Sequence, residues 1–238
     1  MQSALTLGQS TVGQKAIVAV SGLILFGFVI GHLAGNLLLF AGPGPFNAYT
    51  VALESAVPLL WGIRIVVLVS VVSHVTLTVK LARRNALARP VGYQKVGPDR
   101  LTTYAARTMV ISGPLLALYV AFHLAQFTVP GIDFSGGAFD HTNVYANVVR
   151  GFRVWWVSAI YIFASFLLGL HLYHGAWSSF SSLGAQHRRW DALRRRSAIG
   201  LALLIAGAMI SIPLAVQARL VGSADQLAES EALSIEEE

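Results

Sequence analysis

Long runs of apolar residues alternate with shorter polar segments along the whole chain. A helix needs about 20 apolar residues to cross a hydrocarbon core about 30 Å thick. Five runs reach that length, at residues 16–40, 58–81, 104–129, 154–180 and 198–216. The pattern predicts an all-α integral membrane protein in which five transmembrane helices form one bundle over residues 1–221.

The two ends of the chain differ from these apolar runs. Residues 1–14 are polar and small, and no A-x-A cleavage site follows the first run. We therefore expect the first span to be retained rather than removed as a signal peptide. Residues 222–238 are acidic and poor in bulky side chains, which predicts a disordered tail.

Composition supports a membrane protein and narrows its chemistry. Hydrophobic residues make up 55% of the chain and charged residues 12%, against about 25% charged in a typical soluble domain. The absence of cysteine excludes disulfides, iron–sulfur ligation by this chain and covalent c-type haem attachment. The net charge of +6 does not indicate a nucleic-acid partner, because the basic residues lie between the apolar spans.

The basic residues are distributed unevenly among the four connections. The first connection has none, and the third has only Arg150 and Arg153. The second and fourth hold the rest of the connecting basic residues, which are Arg83, Arg84, Arg89, Lys95, Arg100, Arg107, Arg188, Arg189, Arg194, Arg195 and Arg196. Because basic connections stay in the cytoplasm, this pattern predicts a cytoplasmic N-terminus and a C-terminus outside.

Histidines are the main ionisable residues inside the spans. Such residues are costly in lipid and are usually functional. Five of the seven histidines lie in spans, and the first four spans each contribute at least one: His32, His74, His123, His171 and His174. At 1.5 Å rise per residue, His32 and His123 fall in the outer half of the bilayer, and His74 and His171 towards the cytoplasm. This depth requires the fourth helix to project beyond the bilayer or to end near residues 178–182.

Two histidine pairs at different depths suit two haems b, each bound axially by two neutral imidazoles. Glycines beside these histidines either leave room for a flat macrocycle or allow close helix packing: Gly27, Gly31, Gly35, Gly169 and Gly175. A zinc site would instead need three or four ligands at one depth, with carboxylates nearby. The spans contain almost no carboxylates, which favours haem.

Six motifs occur in an order that resembles a known family. They are GFVIGHLAGN (27–36), FNAY (46–49), ARTMVISG (106–113), FHLAQF (122–127), LGLHLYHGAWSSF (168–180) and SIPLAV (211–216). Over about residues 15–222 the chain resembles the single-chain, di-haem cytochrome b subunit of succinate dehydrogenases and fumarate reductases. The resemblance implies axial ligands at His32 and His123 for an outer haem, and at His74 and His171 for an inner haem.

The same resemblance suggests three further site residues. His174, three residues after His171, is a candidate propionate contact or a packing residue. Arg64 is a candidate partner of a propionate or of Glu54, or extends to the outer surface. Glu54 is a candidate quinone or proton site, or an exposed loop acid.

The resemblance also implies partners and a location. A flavoprotein oxidises succinate, an iron–sulfur subunit relays the electrons, and this chain passes them through both haems to a quinone, expected to be menaquinone. The location would be a bacterial cytoplasmic membrane. The basic connections, with His187 and Arg188, either bind the iron–sulfur subunit or reflect membrane topology alone. The whole complex is also a candidate for a higher oligomer.

Three alternatives remain from the sequence. The anchor of a quinol:fumarate reductase is disfavoured by Gly169, because some members of that kind carry a glutamate at this position. A proton-coupled transporter without haem predicts inverted repeats or broken helices, and the sequence shows neither. The di-haem cytochrome of a hydrogenase or formate dehydrogenase is disfavoured by the order of the motifs.

Overall fold

A computed structural model describes residues 10–88, 100–128, 140, 142–185 and 187–236. For 100–107 and 235–236 it describes the backbone alone. Within these ranges every regular element is a helix and none is a strand, so the predicted all-α class is confirmed for the described chain. Arg89 and Lys95, two of the predicted cytoplasmic charges, lie outside the described residues.

Eight α-helices follow one another along the described chain. They are α1 (Thr11–Leu37), α2 (Pro43–Ser55), α3 (Val57–Leu87), α4 (Arg100–Phe127), α5 (Val144–Arg153), α6 (Trp155–Ser182), α7 (Asp191–Gln217) and α8 (Ala224–Glu236). Two short 3₁₀ turns, Leu38–Ala41 and Arg188–Trp190, extend α1 and precede α7.

Five of these segments are long and apolar enough to cross a membrane. They are Thr11–Ala41, Val57–Leu87, Thr108–Phe127, Trp155–Ser182 and Arg188–Gln217. Each falls on one of the five apolar runs of the sequence, as expected for a multi-pass membrane protein. Many of their large apolar side chains are exposed, among them Leu68, Leu118 and Leu203, as lipid-facing positions require.

The end of α6 bears on the depth argument for the histidines. The sequence required the fourth span to project beyond the bilayer or to end near residues 178–182. The helix ends at Ser182, where Leu183 and Gly184 form a turn and Gly184 adopts a positive φ of 77°. Glycine tolerates that conformation without the steric cost that a Cβ brings. The end of α6 thus falls within the range that the second of the two expected arrangements names.

The chain divides into two compact units, and each unit takes a part of every long helix. The first comprises Met1–Val29, Ile63–Gly113 and Leu170–Ala202. The second comprises Ile30–Gly62, Pro114–Gly169 and Leu203–Glu238. His74 and His171 belong to the first unit, and His32 and His123 belong to the second.

The second unit contains a group of three short helices, α2, α5 and α8, which we call the cap. They pack on one another, and nearly all of α5 is buried. Its buried Tyr145, Val149 and Phe152 join Phe46 of α2 and Val216 of α7 in one apolar core. These helices belong to the first connection, the third connection and the C-terminal segment, which the charge pattern predicts to lie outside.

The C-terminal segment is ordered, so the prediction of a disordered tail was wrong for residues 224–236. Ser223 and Gln226 form a capping box: the Gln226 N–H donates to Ser223 Oγ (3.2 Å), and the Ser223 N–H donates to Gln226 Oε1 (3.1 Å). Leu227 packs against the apolar core, and Arg150 pairs with Glu231 at 3.1 Å. Composition alone missed that Leu227 and the fully buried Ser230, one turn apart, hold this acidic segment against the cap.

Gly222 lies where α7 leads into α8, and a side chain there would be strained. Its φ is 78°, and a Cβ would lie 2.4 Å from Val149 Cγ1. Its N–H donates to Tyr145 Oη (3.2 Å), and its carbonyl accepts from Arg153 (2.6 Å). The segment between α7 and α8 therefore packs directly on α5.

Candidate cofactor-binding histidines

In the first unit, the rings of His74 and His171 lie side by side. Their centroids are 6.3 Å apart, and their planes are inclined by 60°. His74 comes from α3 and His171 from α6, the second and fourth spans. These are the two histidines that the depth argument groups towards the cytoplasm.

The second unit repeats this arrangement with the first and third spans. His32 of α1 and His123 of α4 have ring centroids 5.7 Å apart at an interplanar angle of 85°. A metal–imidazole nitrogen bond is about 2 Å long, so two imidazoles bound on opposite sides of one metal ion have ring centres about 6 Å apart. Both separations fit that requirement, although contacting aromatic rings without a metal are also about 4.5–7 Å apart.

The ring of His74 is held by the backbone of α1. Its Nδ1 lies 3.1 Å from the carbonyl oxygen of Val18 and 3.3 Å from Ser21 Oγ. A carbonyl only accepts, so the hydrogen bond places the proton on Nδ1 and leaves the lone pair of Nε2 available. This is the usual arrangement of a metal-binding histidine, whose second nitrogen donates to a carbonyl.

Small residues of α1 allow this close approach to His74. A Cβ on Gly22 would lie 3.1 Å from His74 Cε1, tighter than ordinary contact. The neighbouring Ser21 is buried, and its hydroxyl also bonds the carbonyls of Ile17 (2.8 Å) and Val18 (3.1 Å). Ser21 and Gly22 therefore form the surface of α1 on which the His74 ring packs.

The ring of His123 is held by a side chain. Its Nδ1 lies 3.0 Å from the hydroxyl oxygen of Tyr161 on α6. Tyr161 is 6% exposed, and its ring packs at 4.8 Å on Phe152 and at 5.1 Å on Tyr119. The aromatic residues around His123 thus connect it with the apolar core of the cap.

His171 has a buried nitrogen that lacks a partner among the described residues. Its Nδ1 is inaccessible to solvent and makes no hydrogen bond there. An unpaired polar atom in this position costs about 1–3 kcal/mol.

The glycines near the histidines divide into two kinds. No described atom lies within 4 Å of the positions that a Cβ would take on Gly27, Gly31 or Gly175. A Cβ on Gly35 would instead lie 2.6 Å from the ring of Tyr49 in FNAY. The first three leave open space, and Gly35 serves close packing of α1 against α2.

The other candidate residues differ in how far they are exposed. His174 is partly buried on α6. Arg64 is exposed near the start of α3, and Glu54 is exposed in the last turn of α2. Glu54 thus lies on a helix of the cap rather than in an irregular loop.

The fourth connection presents its basic residues around Trp177. The guanidinium groups of Arg194 and Arg195 lie 5.6 and 5.0 Å from the Trp177 ring centre. Arg194 also bonds Asp191 and the carbonyl of Ala185. His187 is exposed and accepts the Arg189 N–H at 3.3 Å. Nothing in these contacts requires a partner protein, since they are internal to the segment.

The histidine side chains that could bind a metal ion lie in pairs. Across the described ranges, no three His, Cys, Asp or Glu side chains converge on one point. A structural zinc site needs four ligands, and a catalytic one needs three. Pairs of imidazoles are what an axial haem site requires.

Sequence reasoning missed the residues that hold the histidine rings. Val18 acts through its carbonyl oxygen, which every residue has, so no sequence signal could mark it. Ser21–Gly22 and Tyr161 carry weak signals, because a hydroxyl or a glycine inside an apolar span indicates a helix contact. In comparisons with protein-family models, with curated proteins and with solved structures, nothing matches this chain.

Proposed function

We propose that this chain is the di-haem cytochrome b membrane anchor of a succinate:quinone oxidoreductase. The observation that carries the proposal is the meeting of histidines from four helices in two separate pairs, 6.3 and 5.7 Å between ring centres. The motif order in the sequence supplies the family, and the histidine geometry suits the cofactor.

Residues of the chain would hold each haem from both sides. His74 and His171 would bind the inner haem iron, and His32 and His123 the outer. Bound haem supplies one-electron transfer across the bilayer. The α1 carbonyl at Val18 and the hydroxyl of Tyr161 orient one ligand of each pair. The apolar surroundings exclude water and, with the ligands, set the redox potentials.

The polar residues at the two ends of the spans have separate roles in this proposal. Glu54, exposed on the cap, exchanges a proton with quinone on the outer side. Arg64 and His174 are candidate propionate contacts. The basic fourth connection, with His187 and Arg188, faces the iron–sulfur subunit, and succinate is oxidised on the partner flavoprotein.

The decisive test is haem content. The chain is purified with its partner subunits, and the reduced-minus-oxidised spectrum is recorded with the pyridine haemochrome stoichiometry. We expect two haems b per chain. A colourless preparation contradicts the proposal and favours a transporter that uses intramembrane histidines as a proton relay.

The rates in the two directions define the physiological reaction. We expect succinate oxidation with quinone to be faster than fumarate reduction with quinol, since Gly169 occupies the position of a glutamate in some fumarate reductases. A faster fumarate reduction would assign the anchor to a quinol:fumarate reductase instead.

A further inference from the structure

Among the residues that the structure describes, Tyr161 is the one whose hydroxyl contacts a ring nitrogen of His123. The Tyr161 Oη to His123 Nδ1 distance is 3.0 Å, within the normal range for a hydrogen bond. The hydroxyl comes from α6, whereas His123 lies on α4. The contact therefore joins the two helices at the level of the His32–His123 pair.

The Tyr161 ring has little freedom to move. It is 6% exposed and contacts the rings of Phe152 (4.8 Å), Tyr119 (5.1 Å), Phe122 (6.1 Å) and Phe127 (6.3 Å). Edge-on aromatic contacts of this kind each add about 0.5–1.5 kcal/mol beyond the buried area. The hydroxyl is thus held in place by packing that does not depend on His123.

The hydrogen bond selects which nitrogen of His123 binds a metal. With Nδ1 on Tyr161, Nε2 is the nitrogen left for iron. An imidazole that binds through Nε2 carries its proton on Nδ1, so His123 donates and the Tyr161 oxygen accepts. An acceptor on that proton makes the imidazole a stronger electron donor to the metal.

We propose that Tyr161 is a positioning residue that orients His123 and lowers the redox potential of the outer haem. The inference rests on the proposed di-haem function and adds to it the residue that regulates one site. The acceptor stabilises oxidised iron, because a more basic ligand favours the higher positive charge. At the inner site the acceptor is the Val18 carbonyl instead.

The test compares Tyr161→Phe with Tyr119→Phe in the complete complex. Each substitution removes one hydroxyl and keeps a ring in the same aromatic group, but Tyr119 meets His123 only through its ring, at 6.0 Å. Both haems are titrated potentiometrically and examined by low-temperature electron paramagnetic resonance. The outer haem is identified as the one absent from His32→Ala.

We expect Tyr161→Phe to raise the midpoint potential of the outer haem alone. An expected tenfold change in the ratio of oxidised to reduced iron at a fixed potential corresponds to about 59 mV for one electron. The electron paramagnetic resonance signal of the outer haem should change with it. Selective loss of the outer haem in Tyr161→Phe, with full retention in Tyr119→Phe, would also support the proposal.

Three results would overturn the inference. They are unchanged potentials and signals in Tyr161→Phe, a shift confined to the inner haem, or equal effects of Tyr161→Phe and Tyr119→Phe. In each of these the unsubstituted complex still holds two haems, so the proposed function stands. Absence of haem from the unsubstituted complex would refute the proposed function itself, and this inference with it.

Discussion

The two histidine pairs have similar ring separations but are held by different parts of the molecule. In the first unit, a backbone carbonyl and the small residues Ser21 and Gly22 hold His74. In the second unit, the hydroxyl of Tyr161 holds His123 within a group of aromatic rings that continues into the cap. A backbone acceptor cannot be removed by a side-chain substitution, whereas a hydroxyl can. The second site is therefore the more tunable of the two.

The two units also differ in the size and polarity of the side chains that they bury. Buried residues of the first unit are mostly small or polar, such as Ala19, Ser70 and Ala198. The second unit buries a core of aromatic and branched side chains, including Tyr145 and Phe152. Since large apolar side chains contribute more on burial, the cap should make the second unit the more stable one.

The largest expected effect comes from the histidines. His32→Ala or His123→Ala should remove the outer haem alone, and His74→Ala or His171→Ala the inner haem alone, because each iron would lose an axial ligand. Haem stoichiometry would fall from two per chain to one. His187→Ala, an exposed control, should keep both. If His171→Ala keeps both haems while His174→Ala loses one, the ligand assignment on α6 is wrong.

Glu54→Gln tests the proposed quinone chemistry separately from the proposed haem binding. A carboxylate that exchanges a proton in the rate-limiting step contributes about 100-fold or more, so quinone turnover should fall by about that factor with both haem spectra intact. The measurement is steady-state succinate:quinone activity. Glu229→Gln, an exposed acid of α8, is the control and should retain the rate. An unchanged rate in Glu54→Gln removes this residue from the mechanism.

Asn143→Ala tests whether the cap stabilises the second unit selectively. Asn143 Oδ1 accepts the Ala146 N–H at the start of α5 (3.0 Å), and its Nδ2 donates to Ser230 Oγ on α8 (3.1 Å). Loss of both bonds should cost about 2 kcal/mol. Thermal unfolding in detergent measures the loss of stability. Amide hydrogen exchange shows which helices are destabilised.

The control for this prediction is Ser234→Ala, because the Ser234 hydroxyl bonds only Glu231 of its own helix at 2.9 Å in the described contacts. It should leave the unfolding midpoint almost unchanged. Faster exchange in α3 as much as in α5 after Asn143→Ala would contradict a selective role of the cap.

Asp140→Asn should give a smaller and pH-dependent loss. The Thr142 hydroxyl at 2.7 Å, then the N–H groups of Thr142 and Asn143 and the charge of Arg150, lower the pKa of Asp140 against the opposing effect of burial. Because the folded-state pKa is lowered, the stabilisation is complete above the unfolded value of about 3.9 and is lost as pH falls through the folded value.

At pH 7 this substitution should therefore cost about 1 kcal/mol, given the partial screening by solvent. The difference from the unsubstituted chain should shrink towards pH 3, as followed by thermal unfolding. Glu229→Gln serves as the comparison. A difference that stays constant from pH 7 to pH 3 would show that the charge of Asp140 contributes nothing.

Ser21→Ala should have the smallest effect. The Ser21 hydroxyl lies 3.3 Å from His74 Nδ1, but the Val18 carbonyl at 3.1 Å remains in the variant. We expect both haems to be retained and the potential of the inner haem to move much less than that of the outer haem in Tyr161→Phe. An equal or larger shift would mean that a side chain, and not the backbone, orients His74.

The five spans and the grouping of the histidines into two pairs could be predicted from the sequence, because both depend on position along one dimension. Length and apolarity decide whether a helix can cross a bilayer, and the rise per residue converts position into depth. The His32–His123 and His74–His171 groupings follow from depth alone. The helices of the cap did not, since α5 and α8 are too short to cross a bilayer and α8 has few bulky apolar residues.

The sequence by itself determined the helical class, the number of candidate spans and which histidines come together in pairs. The tertiary structure decided which groups touch those residues: a carbonyl of α1 on His74, the Tyr161 hydroxyl on His123, and α8 folded onto the cap. These contacts depend on how each helix is rotated about its axis and how closely it approaches its neighbours. Rotation and approach result from packing among distant segments, which local patterns do not encode.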